Sequence, residues 1–280
     1  MIVVTGANGQ LGRAVVERLL EKVPAEEIGV SVREPAEAEG LGVRVRGGDF
    51  ADPASLAHAF EDASKVLVVS TDTAGETAVH LHRTAVEAAA KAGAERILYT
   101  SHMGANPSSP FPPMVDHAAT ETALRASGVP FTALRNGFYA TTVPMLLGNA
   151  LDTGELVAPA DGPVAWTTHA DLAAAAAHAL TDDTLDGPTP ALTGPEAVDL
   201  AGIAEIVTRL TGRPVRRVVI PDAEYRAGLL AHGLPEWRAD LLVGMFVASR
   251  RGEFAPAGPA LADLLGRPAE HLADFLKVAL

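Results

Sequence analysis

Gly6-Ala7-Asn8-Gly9-Gln10-Leu11-Gly12 follows the apolar run Ile2-Val3-Val4 and leads into Leu11, Val15, Val16, Leu19 and Leu20, which share one helical face. A strand, a glycine turn and a helix in that order constrain the chain strongly. A helix leaves its first N–H groups unpaired and carries partial positive charge at that end, so a pyrophosphate docks there when nothing obstructs it. The glycines remove the obstruction. Gly6 allows the sharp turn out of the strand, Gly9 lets backbone approach phosphate, and Gly12 lets helix and strand pack closely. The segment therefore predicts a dinucleotide pocket, with Asn8, Gln10 and Leu11 completing the loop around it.

The residue about 20 positions beyond the glycines decides which dinucleotide fits, because the second strand ends beside the adenosine ribose. Ile28-Gly29-Val30-Ser31-Val32 reads as that strand, and Arg33 follows it where Asp or Glu would hold free ribose hydroxyls. A guanidinium there suits a 2′-phosphate through charge-assisted hydrogen bonds, so NADP(H) is expected rather than NAD. The competing assignment leaves Arg33 in solvent and gives the ribose to Glu34.

The rest of the first half alternates apolar runs with helical segments, the pattern of a parallel sheet with crossover helices on both faces. Val43-Arg44-Val45-Arg46 reads as a third strand. Asp52 caps a helix that Pro53 opens. Val66-Leu67-Val68-Val69-Ser70 reads as a fourth strand buried on both faces. An Ala-rich helix over 76–92 closes at Gly93; strands follow at 97–101 and 129–135. Residues 106–114 read as a Pro/Ser-rich loop and 115–126 as a helix.

Beyond these, Thr168-His169-Ala170-Asp171 is expected to form a capping box on a helix ending near Leu180. Helices at 200–211 and 222–231, a strand at 215–220 and a C-terminal helix complete the reading. The fold class is α/β: a Rossmann-type, doubly wound parallel sheet with a smaller C-terminal α/β lobe for substrate. The cofactor domain is expected over 1–150, completed by part of 164–192. The lobe is expected over 151–280, interleaved with it.

Ligands of such sheets sit at the carboxyl ends of the strands. Asp49, Ser70, Thr71, Ser101, Asn136 and Phe138 are thereby expected against the cofactor, and His117 and Tyr139 beside the reacting atoms. The Tyr-x-x-x-Lys pair that short-chain dehydrogenases commonly use for the accompanying proton is missing. Lys22, Lys65, Lys91 and Lys277 follow Arg18, Glu61, Glu87 and Ala273 by four places, none of them tyrosine. Where that pair would lie, His117 and Glu121 are spaced i, i+4 and share a face. One reading makes His117 a donor oriented by Glu121; the other makes the two a surface pair. Reducing a simple ketone leaves a strongly basic alkoxide that needs a positioned acid. A quinone leaves a far less basic hydroquinone anion, so proximity and stacking, with Phe138 and Tyr139 as candidate surfaces, suffice. The expected acceptor is a quinone or similar conjugated carbonyl compound.

The opening loop, Val32-Arg33-Glu34-Pro35, Tyr99-Thr100-Ser101, the 117–121 segment and Leu134-Arg135-Asn136-Gly137-Phe138-Tyr139 together resemble the NmrA-like branch of atypical short-chain dehydrogenases. The resemblance implies NADPH held by the glycine loop and the arginine after the second strand, with the nicotinamide near the fourth to sixth strand ends. It is strong in the cofactor half and looser after about residue 190. Members can carry a lysine after the helix glutamate, where this chain has Thr122. The wider family also implies two alternatives: an NADP-binding redox sensor acting through a protein partner, and a pathway-specific reductase or isomerase.

Composition narrows the partners. With 35 acidic against 22 basic residues the net charge is −13, which opposes nucleic acid and anionic membranes. The absence of cysteine removes disulfides and thiolate chemistry. His80 and His82, two apart on a helix, make a poor metal pair, and no metal is expected. Arg213, Arg216 and Arg217 read as a solvated strand edge or, alternatively, a contact for an anionic substrate. Met1 runs directly into the first strand and no apolar stretch suits a membrane span, so a cytoplasmic protein is expected, with a homodimer as the base-rate assembly.

Overall fold

The apolar runs of the first half become one parallel sheet in the computed structural model, which describes residues 1–280. Strand β1 (Ile2–Thr5) leads to helix α1 (Gln10–Leu20), then β2 (Ile28–Val32), β3 (Arg44–Gly47), α2 (Pro53–Ala59), β4 (Lys65–Val68), α3 (Glu76–Lys91), β5 (Arg96–His102), α4 (Pro112–Ala126) and β6 (Phe131–Asn136). Short pieces follow: β7 (Phe138–Tyr139), α5 (Thr142–Leu147), α6 (Ala150–Thr153), β8 (Glu155–Ala158) and β9 (Trp166–Thr167). Then come α7 (His169–Thr181), β10 (Gly187–Pro188), α8 (Leu200–Thr211), β11 (Arg216–Val219), α9 (Asp222–Ala231), α10 (Glu236–Arg250), α11 (Ala260–Leu265) and α12 (Leu272–Ala279).

The sheet order is β10-β6-β5-β4-β1-β2-β3, all pairs parallel. Winding reverses between β1 and β4, which opens the crevice where such sheets bind ligands. Alternation along β1 sends Val3 to one face and Val4 to the other. On Val4's side α1, α7 and α11 pack through Val15, Leu19, Leu172, Ala176 and Leu261. On Val3's side α2, α3 and α4 contribute Leu56, Val86, Ala89 and Leu124, with Phe60 just after α2. A third cluster, with Phe111, Phe138, Trp166, Ile203, Phe246 and Phe254, joins segments from α4 to α12 beside the carboxyl edge. There β8 and β11 pair in parallel and β7 pairs with β9. No helix is long and apolar enough to cross a membrane.

Four local expectations are corrected. The fourth strand stops at Val68 rather than Ser70, because the Val69 and Ser70 N–H groups donate to Thr5 Oγ1 at 2.9 Å and Thr100 Oγ1 at 2.8 Å, which takes them out of the ladder. Helix α4 starts at Pro112, inside the expected loop: proline lacks only an N–H that a first turn leaves unpaired anyway. The capping box is half made. Thr168 accepts from the Asp171 N–H, but the Asp171 carboxylate accepts from Arg267 at 2.6 Å and from the Glu270 N–H at 2.7 Å, tying the C-terminal segment to α7. The arginine cluster is not one solvated edge either. Arg216 pairs with Glu155, whereas Arg217, 10% exposed, donates to Asp161 and to carbonyls including Ala158 O.

Candidate active site

The glycine turn is built as its residue types demand. Gly6 adopts φ +65°, and the Gly9 N–H closes the turn on Gly6 O at 2.9 Å. A Cβ on Gly12 would lie 2.4 Å from Gly6 O, so only glycine lets α1 start this close to the turn. The first turn of α1 carries neither a side-chain cap nor an acidic residue, leaving its N–H groups free for an anion. Gln10 and Leu11 supply that first turn; Leu11 is buried beneath it.

A cleft of about 650 Å³ opens from this turn along the strand ends. Of the residues expected at the cofactor, Gly6, Asn8, Gly9, Arg33, Asp49, Ser70 and Thr71 line it, joined by Ser31, Glu34, Phe50 and Val69. Arg33 is exposed at the rim and no ion pair in the protein involves it. Asn8 Nδ2 donates to Glu34 O at 3.0 Å, while Asn8 Oδ1 and Ser31 Oγ are enclosed without partners. Asp49 accepts from the Ala51 N–H, shaping the turn under Phe50. A positive rim, a bare helix start and orphaned oxygens facing one cleft fit a phosphorylated dinucleotide; these residues would hold NADP(H).

The remaining residues divide. Ser101 is buried and donates to Glu121 Oε1 at 2.8 Å. Asn136 is 2% exposed, with its Oδ1 enclosed and unpartnered. Phe138 is turned into the third core cluster, edge-on to Trp166, Phe254 and His102 at 5.1 to 5.4 Å, so its faces are taken by protein. Tyr139 lies against His169, with ring centroids 4.5 Å apart, and burial raises its phenol pKa.

The expected His117–Glu121 pairing does not form. Glu121, 2% exposed, accepts two bonds from Arg135, at 2.9 and 2.8 Å, as well as the Ser101 hydroxyl. The stronger bidentate cation wins the carboxylate. His117 turns instead to Tyr99, whose hydroxyl lies 2.8 Å from Nδ1. Tyr99 is 3.3 Å from His82 Nδ1, and His82 Nε2 accepts the Thr71 N–H at 2.9 Å. A hydrogen-bonded line thus runs beneath the strand ends from the cleft to His117. Burial pushes the His82 pKa down to about 4 and His102 to about 3, and holds His117 well below its ordinary value, with His102 and His82 adding to the effect. All three imidazoles are neutral at physiological pH. Sequence reasoning set His82 aside as a failed metal ligand and placed His102 with Ser101 at a ligand-bearing strand end without giving it a chemical task; their partners lie on other elements, and local spacing does not reveal them.

With this geometry in place, the comparisons with known proteins decide the kinship. The NAD(P)H-binding family model matches residues 6–183. Quinone oxidoreductase 2 of Escherichia coli is 36% identical over 278 residues, covering 98% of this chain and 96% of that protein. The chain belongs to the NAD(P)H-binding, NmrA-like family. An NmrA-like family domain-containing oxidoreductase of Aspergillus flavus is 30% identical over 94% of this chain and 90% of its own length. The fold matches the crystal structure of an NADPH-dependent quinone oxidoreductase of Escherichia coli complexed with NADPH, with a TM-score of 0.94, 35% identity and coverage of 100% of this chain and 99% of that one. The α/β, doubly wound fold expected from sequence is the fold of that structure.

Proposed function

We propose that this protein is an NADPH-dependent oxidoreductase that reduces a quinone or similar conjugated carbonyl compound. The observation that carries the reading is the cleft itself: a glycine turn at a bare helix start, continuous with an unpaired Arg33, in a chain similar over its full length to a quinone oxidoreductase.

Bound there, NADPH supplies a hydride with its electron pair. The first turn of α1 and the Gly6–Gly9 backbone hold the phosphates, and Arg33 holds the 2′-phosphate. Asp49, Phe50, Ser70 and Thr71 line the same cleft; on this reading Asp49 and Phe50 would border the adenine and Ser70 and Thr71 would lead toward the nicotinamide. Ser101 and Asn136 stand at the ends of β5 and β6 and Tyr139 on β7 just beyond, where the acceptor would meet the cofactor. His117 is uncharged, so it offers a hydrogen bond rather than a readily released proton. An acceptor whose reduced form is a weak base suits such a site, since water completes the protonation. The reading places the reaction in the cytoplasm and carries the base-rate expectation of a homodimer, which sedimentation velocity measures.

Stopped-flow mixing of the protein with NADPH and 1,4-benzoquinone tests the proposal. Quinone-dependent loss of the NADPH absorbance, far slower with NADH, is expected. NADPH binding without turnover of any quinone or enone, together with partner binding that differs between NADP+ and NADPH, would shift the assignment to a redox sensor.

A further inference from the structure

We propose that His102 and His117 form a pair of uncharged imidazole N–H donors that together hold the oxygen of the acceptor as negative charge develops on it. The proposal rests on the oxidoreductase reading above and adds to it a residue, His102, and a defined tautomer for each ring.

His102 closes β5 at the carboxyl edge of the sheet and His117 lies near the start of α4; their rings are 6.0 Å apart and 26° from parallel. The proton on each ring is fixed by its neighbours. His102 Nδ1 accepts the Gly104 N–H at 3.0 Å. A backbone N–H only donates, so that nitrogen bears the lone pair and the proton sits on Nε2. The His117 assignment comes from the line beneath it. His82 Nε2 accepts the Thr71 N–H, which places the His82 proton on Nδ1. That proton faces Thr120 Oγ1 at 3.0 Å and the Tyr99 oxygen at 3.3 Å. Thr120 spends its own hydroxyl proton on Asp116 O at 2.8 Å, so it acts as an acceptor toward His82. Tyr99, fully buried and kept as the phenol by that burial, then donates along its shortest contact, to His117 Nδ1 at 2.8 Å. The His117 proton therefore also sits on Nε2.

Neither Nε2 has a protein partner, and neither is among the enclosed unpartnered atoms, so both reach accessible space at the ligand edge of the sheet. Phe138 and Phe254 meet His102 edge-on at 5.4 and 5.6 Å and fix its ring. A neutral imidazole N–H stabilises a developing oxyanion without giving up its proton, and because it is already oriented it costs no reorganisation when the charge appears. The atoms balance simply. The acceptor takes a hydride with its electron pair from reduced nicotinamide, one carbonyl becomes C–O⁻, and water supplies the proton. The backbone N–H that ends the line at Thr71 has no proton to release, which makes the line an orienting device and Tyr99 and His82 positioning residues.

The test uses 4-nitrophenolate as an unreactive oxyanion, titrated calorimetrically into the NADP+-saturated protein, with benzoquinone kinetics alongside. Long-range 1H–15N correlation spectra report the tautomers. Expected results are Nε2–H for both rings, a roughly tenfold or greater loss of nitrophenolate affinity in His102→Leu with NADP+ affinity and thermal midpoint kept, and recovery of most of that affinity in His102→Gln, which restores an N–H. Tyr99→Phe is expected to let His117 populate Nδ1–H and to raise KM for the quinone more than it lowers kcat. The proposal is overturned by an Nδ1–H tautomer in either wild-type ring, by absence of nitrophenolate binding to wild type, or by equal binding in His102→Leu. If quinones are reduced and His102→Leu matches wild type throughout, the pair fails while the oxidoreductase reading stands. If nitrophenolate binds through both rings but no quinone or enone is turned over, the pair stands and the assigned reaction fails.

Discussion

Replacing His82 with Gln is expected to remove a defined part of the protein's acid sensitivity. His82 is 2% exposed, and its Nε2 is occupied by the Thr71 N–H, so protonation in the folded state both charges a buried ring and breaks that bond. Burial accordingly lowers its pKa to about 4, against about 6.5 in the unfolded chain. Between these values the unfolded state binds the extra proton, so stability falls as pH drops from 6.5 toward 4 and is fully present above 6.5. Integrating over that window, wild type loses about 2.5 kcal/mol through this one group between pH 7.5 and pH 4.5. In His82→Gln the amide oxygen takes the Thr71 N–H, the amide nitrogen faces Thr120, and nothing titrates. Urea unfolding followed by circular dichroism, for both proteins at both pH values, measures the difference directly. Carboxylate contributions are common to the two and cancel. A variant that loses as much stability as wild type over the same interval would refute the claim that His82 is held neutral by its burial.

Two further changes probe the cofactor end. Gly12→Ala puts a methyl group against the Gly6 backbone, which cannot swing away as a side chain would. A loss of roughly 1 to 3 kcal/mol in stability is expected in thermal unfolding, together with weaker NADPH binding by calorimetry, and no change in either would contradict the close packing described. Arg33→Asp is expected to weaken NADPH by roughly 1.5 to 3 kcal/mol while leaving NADH nearly unaffected; equal losses for both coenzymes would remove the 2′-phosphate argument.

The parts of the fold legible in the sequence are those whose signal is local. The glycine turn, the strands at β1 and β2, the Asp52 cap and the helices α3, α7 and α8 all announce themselves within a dozen residues. What escaped is set by contacts between distant segments. Helix α10 has Gly244 at its centre, which argues against a helix locally, yet a Cβ there would lie 2.5 Å from Pro110 O. The glycine is explained by a loop more than a hundred residues away. The same holds at the site. Glu121 and His117 share a helical face, as their spacing requires, but Arg135 from β6 claims the first and Tyr99 from β5 the second. Spacing identified the residues and the sheet chose their partners.

Those choices also explain which acceptors the site suits. In enzymes that use a Tyr-x-x-x-Lys pair, a cation beneath the tyrosine lowers its pKa toward working pH. Four residues after His117 this chain places a carboxylate, and that carboxylate is already neutralised by the Arg135 guanidinium. Neither Tyr99 nor Tyr139 is hydrogen-bonded to a lysine or arginine, and burial raises both above the ordinary tyrosine value. The imidazoles are displaced in the opposite direction, into the neutral form. The phenols and imidazoles near the ends of β5 and β6 are thereby moved away from the range in which they would trade a proton at neutral pH. Such a site lowers a barrier by placing the acceptor and by hydrogen bonding, and it discriminates against substrates whose reduced oxygen must be protonated within the transition state. Adding an acid is therefore expected to do little for quinones and to be required for simple ketones.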